Sequence, residues 1–361
     1  MDGPTVPGVN GDARWAVLRD ELEAIPQAPT SRDHPRNWVF RIKRGLDFIG
    51  HARRDASRFF AMANPYPKPW QHCEVPSEEG ANIACWFGPQ PGPHDWGLVV
   101  VPGMFGSKDD TVQKRRALRI WRQWKIPVMA MDLRGFGEST GISTAGWKEG
   151  ADVLAVAKEL KQRAGLKRVA VLCESLGGAA ALNALALDSA SGANVLSGGV
   201  LACSAFCDAK DAVAYISDRP PDDHAFALQW LGFRRLLRLK SMGGYERFDD
   251  YLDDAARVHG LSGWSELSDL ANPKWKIPMI HQPTLLIHAA DDPVVPVRHA
   301  RRVERYAAGN PKVQVLLTTW GGHTGFEPME PHWYWEVLRR FFGTVNDAEL
   351  PNLASGDVLN P

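Results

Sequence analysis

From residue 70 onward, short unbroken apolar runs alternate with longer stretches whose apolar residues recur every three or four positions. The runs at 97–101, 128–131, 168–172, 198–203, 284–287 and 313–317 are too short for helices, and apolar residues face both ways along them. They predict strands buried on both faces. Segments 110–124 and 146–164 carry the helical period, and the Ala-rich stretch 179–187 follows the run at 168–172 as another helix. Segments 71–75 and 82–87, around Glu79-Gly80, read as an antiparallel pair. Strands alternating with helices predict an α/β fold with a mostly parallel central sheet covered by helices on both faces.

The alternation stops between Ala205 and Pro278. Segment 225–240 within it is strongly apolar and helical in period, with basic residues along one side. This region is expected to be an inserted helical cap that leaves after one strand and returns before the next. A cap over the strand ends would make a ligand cleft there, the usual place for one in an open α/β sheet. The resulting division is an N-terminal extension over 1–69, a core over 70–205 and 279–345, the cap over 206–278, and a polar tail over 346–361. Within the extension, segment 37–62 is amphipathic and basic, with Trp38, Phe40, Ile42 and Leu46 against Arg41, Lys43, Arg44, Arg53 and Arg54. Such a helix could lie on an anionic membrane surface. Packing on the core with a solvated basic face is the favoured expectation. The alternating prolines of Asn64-Pro65-Tyr66-Pro67-Lys68-Pro69 make a stiff linker.

Composition narrows the function. Lys+Arg and Asp+Glu are balanced at 42 each, which gives no reason to expect a nucleic-acid partner. The five cysteines are odd in number and match no metal-site spacing, so they read as reduced thiols. No charged start followed by an apolar stretch opens the chain, and no run approaches the roughly 18 apolar residues of a spanning helix. The expectation is a cytoplasmic protein.

The chemistry centres on Val171-Leu172-Cys173-Glu174-Ser175-Leu176-Gly177-Gly178, where a strand gives way to a helix. A serine at such a turn is held in a strained backbone with its hydroxyl pushed out of the sheet edge, and small flanking residues allow the tight fold. Gly177 fits, and Cys173 stands where glycine is commonest. A serine hydroxyl near neutral pH needs a base, and the base needs an orienting acid. The acid candidates lie in His288-Ala289-Ala290-Asp291-Asp292-Pro293, just past a strand. Asp292 is preferred because Pro293 biases its backbone toward extended. Asp291 is the alternative, Asp208 is less favoured, and either of the paired aspartates could instead cap the helix near Arg298. Of the eleven histidines, His323 alone has the required place in chain order, after the last strand and before the C-terminal helix, with Gly321, Gly322 and Gly325 permitting a sharp loop back to Ser175. Pro102-Gly103-Met104-Phe105-Gly106 follows the strand at 97–101, so the N–H groups of Met104 and Leu176 are the candidate oxyanion donors. Asp132 and Arg134, in Asp132-Leu133-Arg134-Gly135-Phe136-Gly137-Glu138-Ser139, are expected to brace the walls of the site. No P-loop lysine pattern follows those glycines.

The elbow around Ser175, the Pro-Gly-Met-Phe-Gly loop, the Asp-Leu-Arg-Gly-Phe-Gly-Glu-Ser stretch and the Gly-Gly-His turn, in that order, resemble the α/β-hydrolase superfamily over about residues 70–342. A narrower likeness is to the YheT-like esterases and the eukaryotic α/β-hydrolase-domain lipases. It rests on Phe248-Asp249-Asp250, on Gly260-Leu261, on the stretch from Ile280 to Pro293, and on Gly321-Gly322-His323-Thr324-Gly325-Phe326. The resemblance implies a nucleophile–acid–histidine order of Ser175, Asp292 and His323. It also implies action on carboxylic acyl esters, as a carboxylesterase or lipase, without a cofactor, and the apolar cap favours an acyl substrate with an apolar part. A thioesterase, an acyltransferase or a non-catalytic binder on the same fold are the alternatives.

Overall fold

A computed structural model describes residues 18, 20–25, 65–218, 245 and 248–351 of the 361. The expected basic helix at 37–62 and the apolar cap helix at 225–240 lie outside the described residues. The chain enters the sheet through an antiparallel pair, β1 (Gln71–Pro76) and β2 (Asn82–Gly88), joined by a turn in which Glu79 takes a positive φ of 58°. There follow β3 (Trp96–Val101), α1 (Thr111–Trp124), β4 (Val128–Met131), α2 (Trp147–Ala164), β5 (Arg168–Glu174), α3 (Ser175–Ser191) and β6 (Val200–Cys203). Helices α4 (Ala209–Asp218), α5 (Phe248–Val258) and α6 (Trp264–Ala271) lie between β6 and β7 (Thr284–Ala289). The chain closes with α7 (Arg298–Tyr306), β8 (Val313–Thr318), α8 (Phe326–Met329) and α9 (Pro331–Asn346).

The eight strands form one sheet in the order β1-β2-β4-β3-β5-β6-β7-β8. β1 and β2 are antiparallel to their neighbours, and β4, β3, β5, β6, β7 and β8 run parallel. The unbroken apolar runs follow from this placement. β3, β4 and β6 are buried at every position, because helices cover both faces and neither side chain direction reaches water. One face packs on α2 and α3 through Val99, Val101, Val171, Val153 and Leu182. The other packs on α1 and α9 through Leu98, Val100, Ile120 and an aromatic layer that includes Trp124, Trp335 and Phe342. Leu18 and Leu22 belong to this second layer, so part of the N-terminal extension completes the core. The chain also stays packed past α9, where Leu350 is buried.

β4 matches the apolar pattern, and the other strand and helix limits differ from it by at most four residues. β5 continues through Glu174, and α3 begins at Ser175 rather than at Ala179. The polar and glycine residues that interrupt the apolar pattern here are the ones the turn uses. At β6 the strand starts two residues late. Gly198 lies so close to the Val169 backbone that a Cβ would sit 2.7 Å from its carbonyl carbon, and Gly199 has a φ of 88°. Among the described residues no helix is long and apolar enough to cross a membrane.

His299, on α7, is fully buried; Cys207 Sγ lies 3.4 Å from its carbonyl oxygen, and its Nε2 is 3.4 Å from Asp211. Burial, reinforced by Arg302 and Arg298 and opposed by Asp211, pushes the imidazole down to about 4. An unfolded histidine titrates near about 6.5. As pH falls the unfolded chain therefore takes up this proton first. The stability His299 contributes is complete above about 6.5 and is lost progressively down to about 4, a difference of about 3 kcal/mol. Urea unfolding at pH 7 and pH 4.5 should show a smaller acid loss in His299→Gln than in the unsubstituted protein. An equal loss in both would refute the assignment.

Candidate active site

The serine turn is built by close backbone approach. Ser175 has a φ of 50°, in the left-handed region that a non-glycine residue enters only when its surroundings hold it there. The first turn of α3 presses against the end of β3. A Cβ on Gly177 would lie 2.3 Å from the carbonyl oxygen of Pro102, and one on Gly178 would lie 2.6 Å from Ala205 Cβ. Neither position tolerates a side chain without displacing backbone. Cys173, two residues before the serine, meets no such wall. It is buried and its thiol donates to the carbonyl of Leu201 on β6 at 3.4 Å. Burial, with the charges of neighbouring Cys203 and Glu174, pushes that thiol well up, so it stays protonated and unreactive.

Ser175, His323 and Asp292 come together at the C-terminal edge of the parallel strands. His323 Nε2 lies 3.0 Å from Ser175 Oγ, and its Nδ1 lies 3.0 and 3.1 Å from the two carboxylate oxygens of Asp292. A carboxylate can only accept, so Nδ1 carries the proton and Nε2 is left to accept from the serine hydroxyl. Asp292 is fully buried at its side chain, and its Oδ1 also accepts from the backbone N–H groups of Val294 and Val295 at 2.9 Å. Burial alone would push this carboxyl up. The charge and hydrogen bond of His323, with smaller contributions from His288 and the Val295 N–H, outweigh it and hold the group below the usual carboxylate range. His288 sits behind the acid, 3.7 Å from Asp292 Oδ2, and its Nε2–H donates to the Val295 carbonyl at 2.8 Å.

The paired aspartates take different partners. Asp291 Oδ1 accepts the backbone N–H of Gly322 at 2.9 Å, holding the loop that carries His323. Asp208 is occupied elsewhere, by Lys274 Nζ at 2.5 Å and by the N–H of Asp211. The histidine loop needs its glycines: Gly321 has a φ of 128°, and a Cβ there would meet the Phe326 ring at 2.3 Å. Thr324, at a φ of 60°, donates its N–H to Ser204 Oγ at 3.3 Å, and Ser204 is itself left-handed at 53°.

Several residues here escaped the sequence reading. Arg116 on α1 is 1% exposed, pairs with Glu174 and donates to Glu327 at 2.5 Å. It thereby ties the residue before Ser175 to the helix after His323. Gln113 adds a bond to Glu174 at 2.8 Å. The signal was present in the helical period. Arg116 stands four residues from Val112 and four from Ile120, both buried, so a cation interrupts an apolar stripe. Ser204 had no such signal.

The loop after β3 faces the serine. A Cβ on Gly103 would lie 3.1 Å from Ser175 Cβ. Met104 follows, then Phe105 at a φ of 59°. Leu176 is the second residue of α3, where first-turn N–H groups lack an intrahelical acceptor. Of the expected wall braces, Arg134 forms a two-pronged pair with Asp152 at 2.6 Å, and Asp132 accepts from Lys108. Asp109, Asp132 and Glu138 come close enough to share a cation, but Lys108 Nζ already lies within hydrogen-bonding reach of all three.

Residues 98–337 match the model of the alpha/beta hydrolase family. The chain belongs to the α/β-hydrolase family. It is similar to YheT, a candidate esterase of Escherichia coli (strain K12), with 35% identity over 94 residues. That match spans only 25% of this chain and 25% of YheT. Among solved structures, the esterase Pf2001 of Pyrococcus furiosus superposes with a TM-score of 0.54 at 21% identity, covering 78% of this chain and 97% of the other. An esterase of Pyrobaculum calidifontis superposes with a TM-score of 0.56 at 16% identity, covering 95% and 99%. At these identities the superpositions speak to the fold, which this α/β-hydrolase shares.

The clearest steric test is Gly177→Ala. The added methyl meets a backbone oxygen, which cannot rotate away, so the variant should lose about 1–3 kcal/mol of stability or more. Gly177 lies within α3 and has no positive φ, so the clash is the whole of the expected loss there, whereas Gly165→Ala reports left-handed strain at a φ of 64° with open space around its Cβ position. Denaturant melts in which Gly177→Ala is as stable as the unsubstituted protein would contradict the close approach.

Proposed function

We propose that this α/β-hydrolase is a serine hydrolase that cleaves carboxylic acyl esters through an acyl-enzyme, with Ser175 as nucleophile, His323 as base and Asp292 as the orienting acid. The observation that carries the reading is His323 bridging Ser175 and Asp292 with 3.0 Å on each side. The family membership and the esterase relatives agree with it.

In this reading Ser175 Oγ attacks the ester carbonyl carbon as its proton passes to His323 Nε2. The carbonyl oxygen takes up the electron pair and is met by the N–H groups of Met104 and Leu176. When the tetrahedral species collapses, the C–O bond to the alcohol breaks and His323 returns its proton to the leaving oxygen. Water then attacks the acyl-enzyme with His323 again as base, and Ser175 is regenerated. Asp292 stays ionised throughout and stabilises the imidazolium, which its depressed carboxyl favours. Asp291, bonded to the Gly322 N–H, holds the loop and takes no part in proton transfer.

A fluorophosphonate probe should label the purified protein and should not label Ser175→Ala. Absence of labelling in the unsubstituted protein would point to a binder rather than an enzyme. Turnover of p-nitrophenyl butyrate should fall by about 10³–10⁴ in Asp292→Asn. It should fall less than tenfold in Asp291→Asn, and the opposite ranking would exchange the two roles. A strong preference for acyl-CoA over p-nitrophenyl esters would replace the esterase by a thioesterase or acyltransferase.

A further inference from the structure

Lys108 lies in the loop between β3 and α1, four residues after Met104, and its side chain is completely buried. Its ammonium donates to Asp109 at 2.7 Å, Asp132 at 3.0 Å and Glu138 at 2.6 Å. Its backbone is held too. The N–H donates to the second oxygen of Asp132 at 2.7 Å, and the carbonyl accepts from Tyr66 Oη at 2.7 Å. Asp132 and Glu138 belong to the loop after β4, where the Glu138 N–H also bonds Asp132 at 2.9 Å. A Cβ on Gly137 would fall 2.2 Å from Asp132 Oδ2, so that loop wraps the carboxylate closely. The outer carboxylates are themselves pinned, Asp109 by Trp86 Nε1 at 2.9 Å and Glu138 by His72 at 3.1 Å. Next to this cage Phe105 packs edge-on against Phe136, ring centroids 5.1 Å apart, which joins the same two loops a second time.

We propose that Lys108 is a positioning residue, whose caged ammonium fixes the loop after β3 so that the Met104 N–H stays aimed at the charge developing on the substrate oxygen. The inference rests on the serine-hydrolase reading above. Burial by itself would push the ammonium's pKa down, but Asp132 and Asp109 outweigh it and hold the group charged. Burial, with the charge of Asp132, pushes the Asp109 carboxyl up despite Lys108. The hydrogen bond from His72, aided by Lys108, pulls Glu138 down to about 2. Removing the ammonium therefore leaves crowded carboxylates with no buried cation among them. They repel one another and strain the loop they share, which the Tyr66 bond and the Phe105–Phe136 contact then hold without the ammonium. A donor that acts only on transition-state charge should, when displaced, cost kcat and leave KM nearly unchanged.

The test uses the full chain, p-nitrophenyl butyrate and fluorophosphonate labelling, with a chelator present so that no stray metal enters the cage. Lys108→Met keeps the length of the stem and loses the charge. It should lower kcat by about 10–100-fold, less than the roughly 10²–10³ of a donor removed outright because the Met104 N–H is displaced rather than lost, with KM within twofold. Lys108→Ala should show the same loss and recover several-fold when methylammonium is added, because the free amine restores the missing cation. Wild-type kcat in either folded variant overturns the inference. So does a loss that merely tracks the unfolded fraction in thermal melts, with no recovery by amine. If neither variant folds, Glu138→Gln at the rim of the cage should lower kcat severalfold at constant KM, and an unchanged kcat there overturns it equally. Failure of the unsubstituted protein to label marks failure of the serine-hydrolase reading. A labelled wild type with an equally fast Lys108→Met marks failure of the positioning role alone.

Discussion

The constraint on which the rest depends is the contact between the first turn of α3 and the end of β3. With no side chain at Gly177, α3 starts against the carbonyl of Pro102, and Ser175 is forced into the left-handed region as the price of that approach. The same contact places Gly103 against the Ser175 Cβ, so the serine and the loop that faces it are positioned by one feature. Gly178 repeats the device on the other side against Ala205, after β6. A bulkier residue at either place would separate neighbouring strand ends and move every loop that hangs from them.

Much of this was legible in the amino-acid order, and for a definite physical reason. Parallel strands buried on both faces must be continuous apolar runs, so β3 to β8 stand out even without homologues. Ser175, Asp292 and His323 are each found just past such a run, where side chains leave the sheet. What was not legible depends on distant partners. Asp291 and Asp292 are neighbours with the same chemistry, and only the fold gives one the Gly322 N–H and the other the His323 ring. The thiol of Cys173 fits because β6 offers it the Leu201 carbonyl, a fact with no local trace. Lys108 sits in the polar stretch Ser107-Lys108-Asp109-Asp110, where nothing local shows that its side chain is fully buried. The segments expected to be the apolar cap helix and the basic N-terminal helix fall outside the described residues.

The buried charges follow a pattern. Arg116 with Glu174 and Glu327, Arg134 with Asp152, and Lys108 with its carboxylates are all withdrawn from water. Such groups are poor sources of net stability, because desolvation offsets much of their attraction. Their use is geometric. A guanidinium demands its acceptors in a plane and at fixed angles, which an apolar contact does not. An energetic view would have these clusters replaced by well-packed hydrophobic residues, and their presence beside the candidate site argues for placement over stability.

Taken together, these ties form a circuit around the edge of the sheet. Lys108 and Asp132 join the loop after β3 to the loop after β4. Gly177 joins the β5 turn to β3, and Arg116 joins Glu174 at the end of β5 to α8, just past the histidine loop. Ser204 joins the loop after β6 to Thr324, and the two aspartates after β7 hold Gly322 and His323. Each loop emerging from the parallel strands is thus held by at least one neighbour. Loops are ordinarily the mobile parts of an α/β fold, and a site assembled from separate loops has to suppress that mobility to keep 3.0 Å contacts in register. Here it is suppressed by polar bonds between loops, so the exactness of the site belongs to the ring of ties as a whole and not to any single loop.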